Sequence, residues 1–273
     1  MSDKRRLLAI VFATLAAAGS ALACINETGT SPSGHQVALF ATVEDVRAGL
    51  VTPTRTPAWV FGWRDSVITD VQREPNFDNL NQLAVVLIRL GKVRDAIALL
   101  HSVERRFPGR WQTAPNLGTA YELAGDTRRA LYWVRQGIER NTEDHAGSEW
   151  LHAAILEAKL QQRPRVLALD FGPGPLPRLP SRMPAGNDGH PVSAQHLRGA
   201  LLMQARERAQ FVAAPDPIVA EMLFAWAQME LLAGTMEYAE VVYPAARRYG
   251  WPDRAAIERG MQEAARIRNA RKR

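Results

Sequence analysis

Apolar residues between positions 77 and 110 recur at helical spacing in two stripes separated by a glycine. The first stripe consists of Leu80, Leu83, Ala84 and Leu87, and the second of Ala96, Ile97, Leu100 and Val103. Residues three and four apart share one face of a helix, so each stripe predicts an amphipathic helix. Gly91 lies between them, and glycine reaches the left-handed conformation of a helix end without a Cβ penalty. The pattern predicts a helical hairpin, closed by Pro108.

Residues 111–144 repeat this pattern at a spacing of 34. The matching pairs are Leu83 with Leu117, Ala84 with Gly118, Leu87 with Tyr121, Gly91 with Gly125, and Ala96 with Ala130. A unit of two helices cannot bury its own apolar face and has to stack on neighbouring units. The period therefore predicts an all-α helix-turn-helix solenoid, and it favours recognition over catalysis.

The repeat is then interrupted. The first helix of a third repeat is predicted at the same spacing of 34 residues, with Leu151 and Ile155 in its apolar positions. However, Lys159 and Pro164 occupy the places of the turn glycine and the second-helix alanine. Its second helix should therefore be missing or rebuilt. Residues 163–193 contain seven prolines and four glycines, a composition that excludes regular helix. This segment is either an ordered loop across the repeats or a disordered insertion.

The pattern returns near the C-terminus, where Ala233-Gly234 is followed by Ala239 at the same distance as in the first two copies. This predicts a repeat-like hairpin, and a final helix from about Asp253 has one apolar side, as a capping helix requires. The predicted segments are a signal peptide (1–23), an N-terminal tether or extension (24–62), the array (63–162), the Pro/Gly-rich loop (163–193) and a C-terminal helical region (194–273). Within the second segment, the apolar run from Val37 to Val43 is either a strand or a stretch that packs on the array.

The Leu–small pairs, the large residue three positions later, the turn glycine and the second-helix alanine resemble the tetratricopeptide repeat family. The resemblance covers residues 77–144 and weakens outside them. It implies a concave groove, lined by the first helices of successive repeats, that binds a protein or peptide. The family's groove positions fall here on Asn81, Val85, Arg89, Gln112, Asn116, Thr119, Glu122, Glu149 and Leu156.

Some members of that family clamp a C-terminal carboxylate with paired Lys, Arg and Asn side chains. In this chain only Asn116 matches such a clamp, because Val85, Ala146 and Trp150 occupy the other positions. The resemblance therefore implies a mixed polar and apolar groove that accepts an extended or helical segment.

The N-terminus has the pattern of a bacterial export signal. Three basic residues (Lys4, Arg5 and Arg6) precede an uncharged run from Leu7 to Ala23 that ends in Ala-Leu-Ala. An uncleaved membrane anchor is the alternative, since 17 residues are near the lower limit for a membrane span.

Cys24, the only cysteine, directly follows this run. Its position resembles the bacterial lipoprotein motif, in which that cysteine is acylated, although Ala21 and Leu22 depart from the usual residues. We expect a lipoprotein on the periplasmic side of the outer membrane. Ordinary cleavage, giving a soluble periplasmic or secreted protein, stays open.

The chain carries a formal net charge of +6, and five positive charges lie in its last eight residues. They are either the solvated end of a helix or a surface for an anionic partner such as lipid headgroups. Basic and aromatic residues are not interleaved, so nucleic acid is not a predicted partner.

Known catalytic motifs are missing from the sequence, including G-x-S-x-G, H-E-x-x-H, C-x-x-C and a phosphate-binding glycine loop. The weak alternative is a metal site of His145, Glu149 and His152, placed at i, i+4 and i+7 on one face of a single helix. Structural hydrogen bonding is the favoured role for these side chains, and for His190 and His196.

These patterns together predict a non-enzymatic interaction scaffold of the bacterial cell envelope that needs no cofactor and binds a protein or peptide. The alternatives are a metal-binding or hydrolytic envelope enzyme centred on His145, Glu149 and His152, and a self-assembling structural subunit.

Overall fold

The computed structural model describes residues 28–39, 41–51 and 56–270. Within these ranges the chain forms eleven α-helices and one two-stranded antiparallel hairpin, which confirms the predicted all-α class. The elements are β1 (Thr28–Thr30), β2 (Gln36–Ala38), α1 (Val43–Gly49), α2 (Ala58–Arg73), α3 (Phe77–Arg89), α4 (Val93–Arg106), α5 (Thr113–Leu123), α6 (Thr127–Arg140), α7 (Glu149–Leu160), α8 (Ala194–Ala209), α9 (Pro217–Ala233), α10 (Met236–Tyr249) and α11 (Arg254–Ala270).

The turns of the first two repeats have the predicted geometry. Gly91 and Gly125 adopt left-handed φ values of 72° and 83°. In both turns the next N–H donates to a carbonyl of the preceding helix, from Lys92 to Leu87 at 2.8 Å and from Asp126 to Tyr121 at 2.9 Å. These bonds satisfy carbonyls that a helix end leaves open.

Small side chains are required where the helices of one repeat meet. A Cβ built at Gly118 would lie 2.6 Å from Val134 Cγ2, well inside van der Waals contact. Ala96 and Ala130, the predicted close-contact positions of the two second helices, are fully buried. A larger residue would overpack these contacts.

The third repeat lacks its second helix, as predicted. Helix α7 ends at Leu160, and Gln162 two residues later has a left-handed φ of 52°. The segment 161–193 contains no helix. The segment is nevertheless packed, because Val166 and Phe171 are buried in the core. The Glu221 carboxylate on α9 accepts three successive backbone N–H bonds, from Val166, Leu167 and Ala168 at 2.6–3.0 Å. Of the two alternatives, the structure therefore has the ordered loop.

The C-terminal hairpin α9–α10 and the capping helix α11 are present, but Gly234 differs from the two turn glycines. Its φ of −121° is not left-handed. A Cβ at Gly234 would lie 1.8 Å from Glu230 Oε2, so glycine is required by the close approach of a carboxylate. The sequence match at this position therefore has a different physical cause.

The predicted tether or extension of residues 24–62 has regular structure in its described part. The apolar run expected to form a strand or to pack begins in β2, and its residues Leu39, Ala41 and Val43 pack against the core. Strands β1 and β2 form a hairpin, and Thr30 donates from its N–H and its hydroxyl to Glu237 on α10, at 2.7 and 2.9 Å. Val46 and Leu50 are buried in the core. Helix α2 also begins at Ala58, inside the predicted tether. Long-range contacts with α10 hold this polar segment, and composition does not reveal them.

The core consists of two apolar clusters that share α7. The larger one joins α8 to α11 and includes Trp226 and Tyr243, and the smaller one lies within α3 to α7. Leu151 and Ile155 of α7 belong to the larger cluster, whereas Leu156 belongs to the smaller one. Helix α7 is thus the apolar connection between the repeat array and the C-terminal region.

Among the described residues, no helix combines the length and apolar character that crossing a bilayer requires. The predicted signal peptide and Cys24 lie outside the described residues, as do residues 271–273 of the basic C-terminus.

Candidate binding cavity on the first-helix face

Helices α3, α5 and α7 form one face of the array, and the end of α8 lies across it. Between them is a cavity of about 470 Å³, which we call the first-helix cavity. Five of the predicted groove residues line it: Val85, Arg89, Asn116, Thr119 and Glu122. The opposite wall consists of Gln204, Glu207, Arg208, Gln210, Phe211 and Val212.

The other predicted groove residues do not line this cavity. Asn81 accepts a hydrogen bond of 3.0 Å from the Asn116 side chain, and Gln112 lies half-buried just before α5. Leu156 belongs to the smaller apolar cluster, and Glu149 is only 1% exposed. The last two face inwards, so the predicted groove contacts at these two positions are wrong.

The apolar residues of the lining come from both sides of the cavity and are Val85, Ile88, Leu123, Phe211 and Val212. Phe211 follows α8 in the chain but packs against the smaller cluster of the array. Apart from Thr119, the other lining residues carry charged or amide side chains. An apolar cavity with a few convergent polar groups is the usual form of a ligand site.

The carboxylate of Glu122 lies at the centre of the charged side chains that line the cavity. It accepts hydrogen bonds from Lys159 Nζ and His152 Nε2, both at 2.7 Å. Arg208 donates to both carboxylate oxygens, at 2.8 and 3.1 Å. Burial by itself would raise the pKa of Glu122, but the charge of Arg208 and the hydrogen bond from His152 hold it well below its usual range.

His145 lies in a left-handed turn before α7, so the prediction that His145, Glu149 and His152 share one helix is wrong. The φ values of His145 and Ala146 are 49° and 55°, and α7 begins only at Glu149. The Asp144 carboxylate accepts the N–H of His145 at 2.9 Å and supports the turn. Left-handed backbone is uncommon outside glycine, with histidine among the more tolerant residues. The turn brings His145 Nδ1 to 2.5 Å from Glu149 Oε1.

The three side chains nevertheless form one ionic cluster. The hydrogen bond with Glu149 raises the pKa of His145 to about 9, against the effect of burial. Burial would lower the pKa of His152, but its bonds to Glu122 and Glu149 raise it to about 9. The pKa of Glu149 falls to about 2, because the bonds from both histidines outweigh burial.

Both imidazoles are engaged with carboxylates, since His145 Nδ1 lies 2.5 Å from Glu149 Oε1 and His152 Nε2 lies 2.7 Å from Glu122 Oε2. Histidine binds metals as the neutral ring, and these contacts raise the pKa of both rings. The part of the chain that the structure describes contains no group of three His, Cys, Asp or Glu side chains arranged to hold a metal ion.

His190 and His196 lie apart from this cluster, beside a smaller cavity of about 230 Å³. His196 Nε2 lies 2.9 Å from the Gly147 carbonyl oxygen, and His190 is exposed. His196 thus has a structural hydrogen bond across the loop.

The sequence did not identify the wall that α8 contributes. Arg208 at the end of a helix is an ordinary complement to the helix dipole, and Phe211 lies outside every repeat. The 34-residue period is maintained by buried residues and gives no information on which helix covers the groove.

A comparison with protein-family models gives no match, and a comparison with curated proteins gives none either. The tetratricopeptide resemblance therefore rests on the repeated residues and on the hairpins that they form. A helical array supports many functions, so function has to be inferred from the cavity and its side chains.

Proposed function

We propose that this protein is a non-catalytic binding protein that holds a short polypeptide segment in the first-helix cavity. The observation that supports the proposal is a cavity of about 470 Å³ that is lined by both apolar and charged side chains. Ligand cavities usually have volumes of about 300–1,000 Å³. Five of its residues occupy the groove positions that the tetratricopeptide resemblance implies.

The cavity limits the length of the segment. One turn of a helix about 10 Å across and 5.4 Å long occupies roughly 400 Å³. The end of α8 and the following residues close the rest of this face, with Gln210, Phe211 and Val212 lining the cavity. The cavity therefore suits about one helical turn or a few extended residues, and a long helix does not fit it.

The protonation states favour binding over catalysis. A general base or acid works best when its pKa is near the working pH. Here the pKa values of His145 and His152 are raised to about 9, and the pKa of Glu149 is lowered to about 2. These groups keep fixed charges at neutral pH and stabilise each other.

Selection from a phage-displayed library of random peptides tests the proposal. We expect the wild-type protein to enrich a shared short motif. Thr119→Trp, which fills the cavity, should abolish the enrichment, whereas Glu139→Trp on the exposed face of α6 should preserve it. Circular dichroism melting of both variants checks that they are folded. A motif retained by Thr119→Trp would place binding elsewhere, and no enrichment by the wild-type protein would contradict peptide binding.

The proposed location is the periplasmic side of the bacterial outer membrane, on the basis of the export pattern and Cys24. We expect Cys24→Ala to move the protein from the membrane fraction to the soluble periplasmic fraction and to abolish labelling with radioactive palmitate. Unchanged fractionation and the absence of label in the wild-type protein would contradict the lipoprotein assignment.

A further inference from the structure

Arg89 lies at the boundary between two cavities. It is the last residue of α3 and lines the first-helix cavity. It also lines a neighbouring cavity of about 500 Å³, which lies between the N-terminal segment and α8. Gln210 and Phe211 are the other residues that line both cavities, so the contact of Arg89 with Gln210 separates them.

This half-buried arginine has no carboxylate partner. Among residues 28–39, 41–51 and 56–270, no carboxylate oxygen lies within 4.0 Å of its guanidinium nitrogens. Its contacts are a hydrogen bond to the Gln210 side-chain oxygen and the ring of Trp59, whose centroid is 5.6 Å away. Burial lowers the pKa of Arg89, and only the charge of Glu207 opposes this effect.

Two other shielded arginines, Arg208 and Arg140, are paired with carboxylates. Arg208 binds both oxygens of Glu122 at 2.8 and 3.1 Å. Arg140 binds both oxygens of Glu104 at 2.8 and 3.0 Å. A partly buried cation without an anion loses hydration that nothing fully replaces, and a neutral amide oxygen is a weaker acceptor than a carboxylate. Among the described residues nothing supplies a paired anion to Arg89, so its guanidinium is available to one.

We propose that Arg89 binds the side-chain carboxylate of an internal aspartate or glutamate in the polypeptide ligand, displacing Gln210. The inference rests on the proposed function and names the ligand's chemistry. A cavity on each side of Arg89 leaves room for the ligand chain to continue in both directions, which a C-terminal residue does not need. Lys159 in the first-helix cavity and Arg206 in the neighbouring one add positive charge on either side.

A peptide obtained by the phage selection provides the test. Three synthetic forms are compared by isothermal titration: the parent, a form with the acidic residue changed to its amide, and the parent with an amidated C-terminus. The acid-to-amide change should weaken binding to the wild-type protein about tenfold to a hundredfold. Amidation of the C-terminus should change the affinity less than about twofold, because the terminal charge is not recognised.

The protein variants are Arg89→Met and Arg129→Met. Arg129 is the matched control, since its guanidinium also lies 5.6 Å from an aromatic ring, that of Tyr121, but outside both cavities. Arg89→Met should weaken binding of the parent peptide as much as the acid-to-amide change does. Arg89→Met combined with the amide peptide should lose no more affinity than either change alone, as is expected if the two groups bind each other directly. Arg129→Met should bind all three peptides like the wild-type protein.

A stability measurement separates a binding role from a structural one. Removal of an unpaired, partly buried cation should leave the melting temperature of the ligand-free protein unchanged or raise it. If Arg89→Met does not fold, Arg89→Lys keeps the charge but lacks the two-pronged geometry, and it should lose about a fewfold in affinity for the acidic peptide.

The outcomes distinguish this inference from the proposed function. Failure of the wild-type protein to enrich any peptide contradicts the proposed function itself. Enriched peptides without an acidic residue overturn the inference about Arg89 but leave peptide binding in place. Loss of binding when the peptide's C-terminus is amidated would also overturn the inference about Arg89. So would an equal loss of affinity on Arg89→Met for the acidic peptide and for its amide form.

Discussion

Two of the contacts that join the repeat array to the C-terminal region have opposite character. On one side, Leu151 and Ile155 of α7 are fully buried in the larger apolar cluster. On the other side, Glu122 of the array holds Arg208 of α8 through two hydrogen bonds, next to a cavity of about 470 Å³. We call the contact through Leu151 and Ile155 the apolar joint and the contact between Glu122 and Arg208 the ionic joint. The apolar joint is tightly packed, whereas the ionic joint borders a cavity.

This difference separates stability from binding. Burying a large apolar side chain stabilises a protein by about 1.5–3 kcal/mol, without directional constraint. The attraction within a buried ion pair is largely offset by the loss of hydration, but removing one partner is costly. The apolar joint thus holds the two regions together, and the ionic joint fixes the end of α8 at the distance that keeps the cavity open.

The largest effect is expected on the apolar side. Trp226→Ala should lower the free energy of unfolding by about 3–5 kcal/mol, because it leaves a cavity in the larger cluster. It also removes the indole N–H that donates to Glu230 at 2.7 Å. Trp59→Ala is the control, since Trp59 is 57% exposed and should cost less than about 1 kcal/mol. Urea denaturation measures both, and similar losses would contradict the ranking.

On the ionic side, Glu122→Gln should lower the free energy of unfolding by about 3 kcal/mol at pH 7. The amide leaves the buried Arg208 without its carboxylate partner and removes one of the two carboxylates that face His152. Glu157→Gln is the matched control, because its 2.8 Å pair with Arg135 is exposed and should contribute less than about 1 kcal/mol. If the two variants lose the same amount, Glu122 is not the centre of the joint.

Alkaline pH should weaken the ionic joint. The pKa values of His145 and His152 are raised from about 6.5 to about 9 in the folded protein. Their contribution to stability is fully present below about pH 6.5 and is lost as the pH rises through about 9. His152→Gln should make the decline between pH 6.5 and 9 smaller. Urea denaturation across this range measures it, and equal slopes for both proteins would show that His152 does not titrate in this way.

The smallest effect is expected at Tyr243. Its hydroxyl is buried without a hydrogen-bond partner among the described residues, and burial raises the pKa of the phenol. Tyr243→Phe should change the free energy of unfolding by less than about 0.5 kcal/mol, or stabilise the protein, because no bond is lost. Tyr249→Phe should cost about 1 kcal/mol, since the Tyr249 hydroxyl donates to the Val212 carbonyl at 3.0 Å. A larger loss at Tyr243 than at Tyr249 would contradict this assignment.

Local sequence information predicted the repeat turns well. Gly91 and Gly125 end helices in the left-handed conformation, as a glycine between two apolar stripes indicates. The same reasoning was right for the missing second helix after α7. Proline prevents a regular helix through its own backbone geometry, without any tertiary contact. It did not reveal what holds the segment before α2, where Thr30 donates to Glu237, more than two hundred residues away in sequence.

The candidate site was only partly predictable. The repeat pattern placed Arg89, Thr119 and Glu122 on a shared face, and they line one cavity. The pattern gave no indication of Arg208 or Phe211, which reach the cavity from α8. It also placed His145 on a helix, because a helical spacing of polar residues does not reveal a left-handed turn.

The sequence by itself determined the helical class, the two repeats and the position of the interruption, because periodicity, glycine and proline act through local backbone preferences. Only the tertiary structure decided that α8 covers the first-helix face and that Glu122 gathers three cations. It also decided that Arg89 lies between two cavities with no carboxylate of the described residues beside it. These features depend on side chains far apart in the chain, and their energies arise only when packing removes them from water.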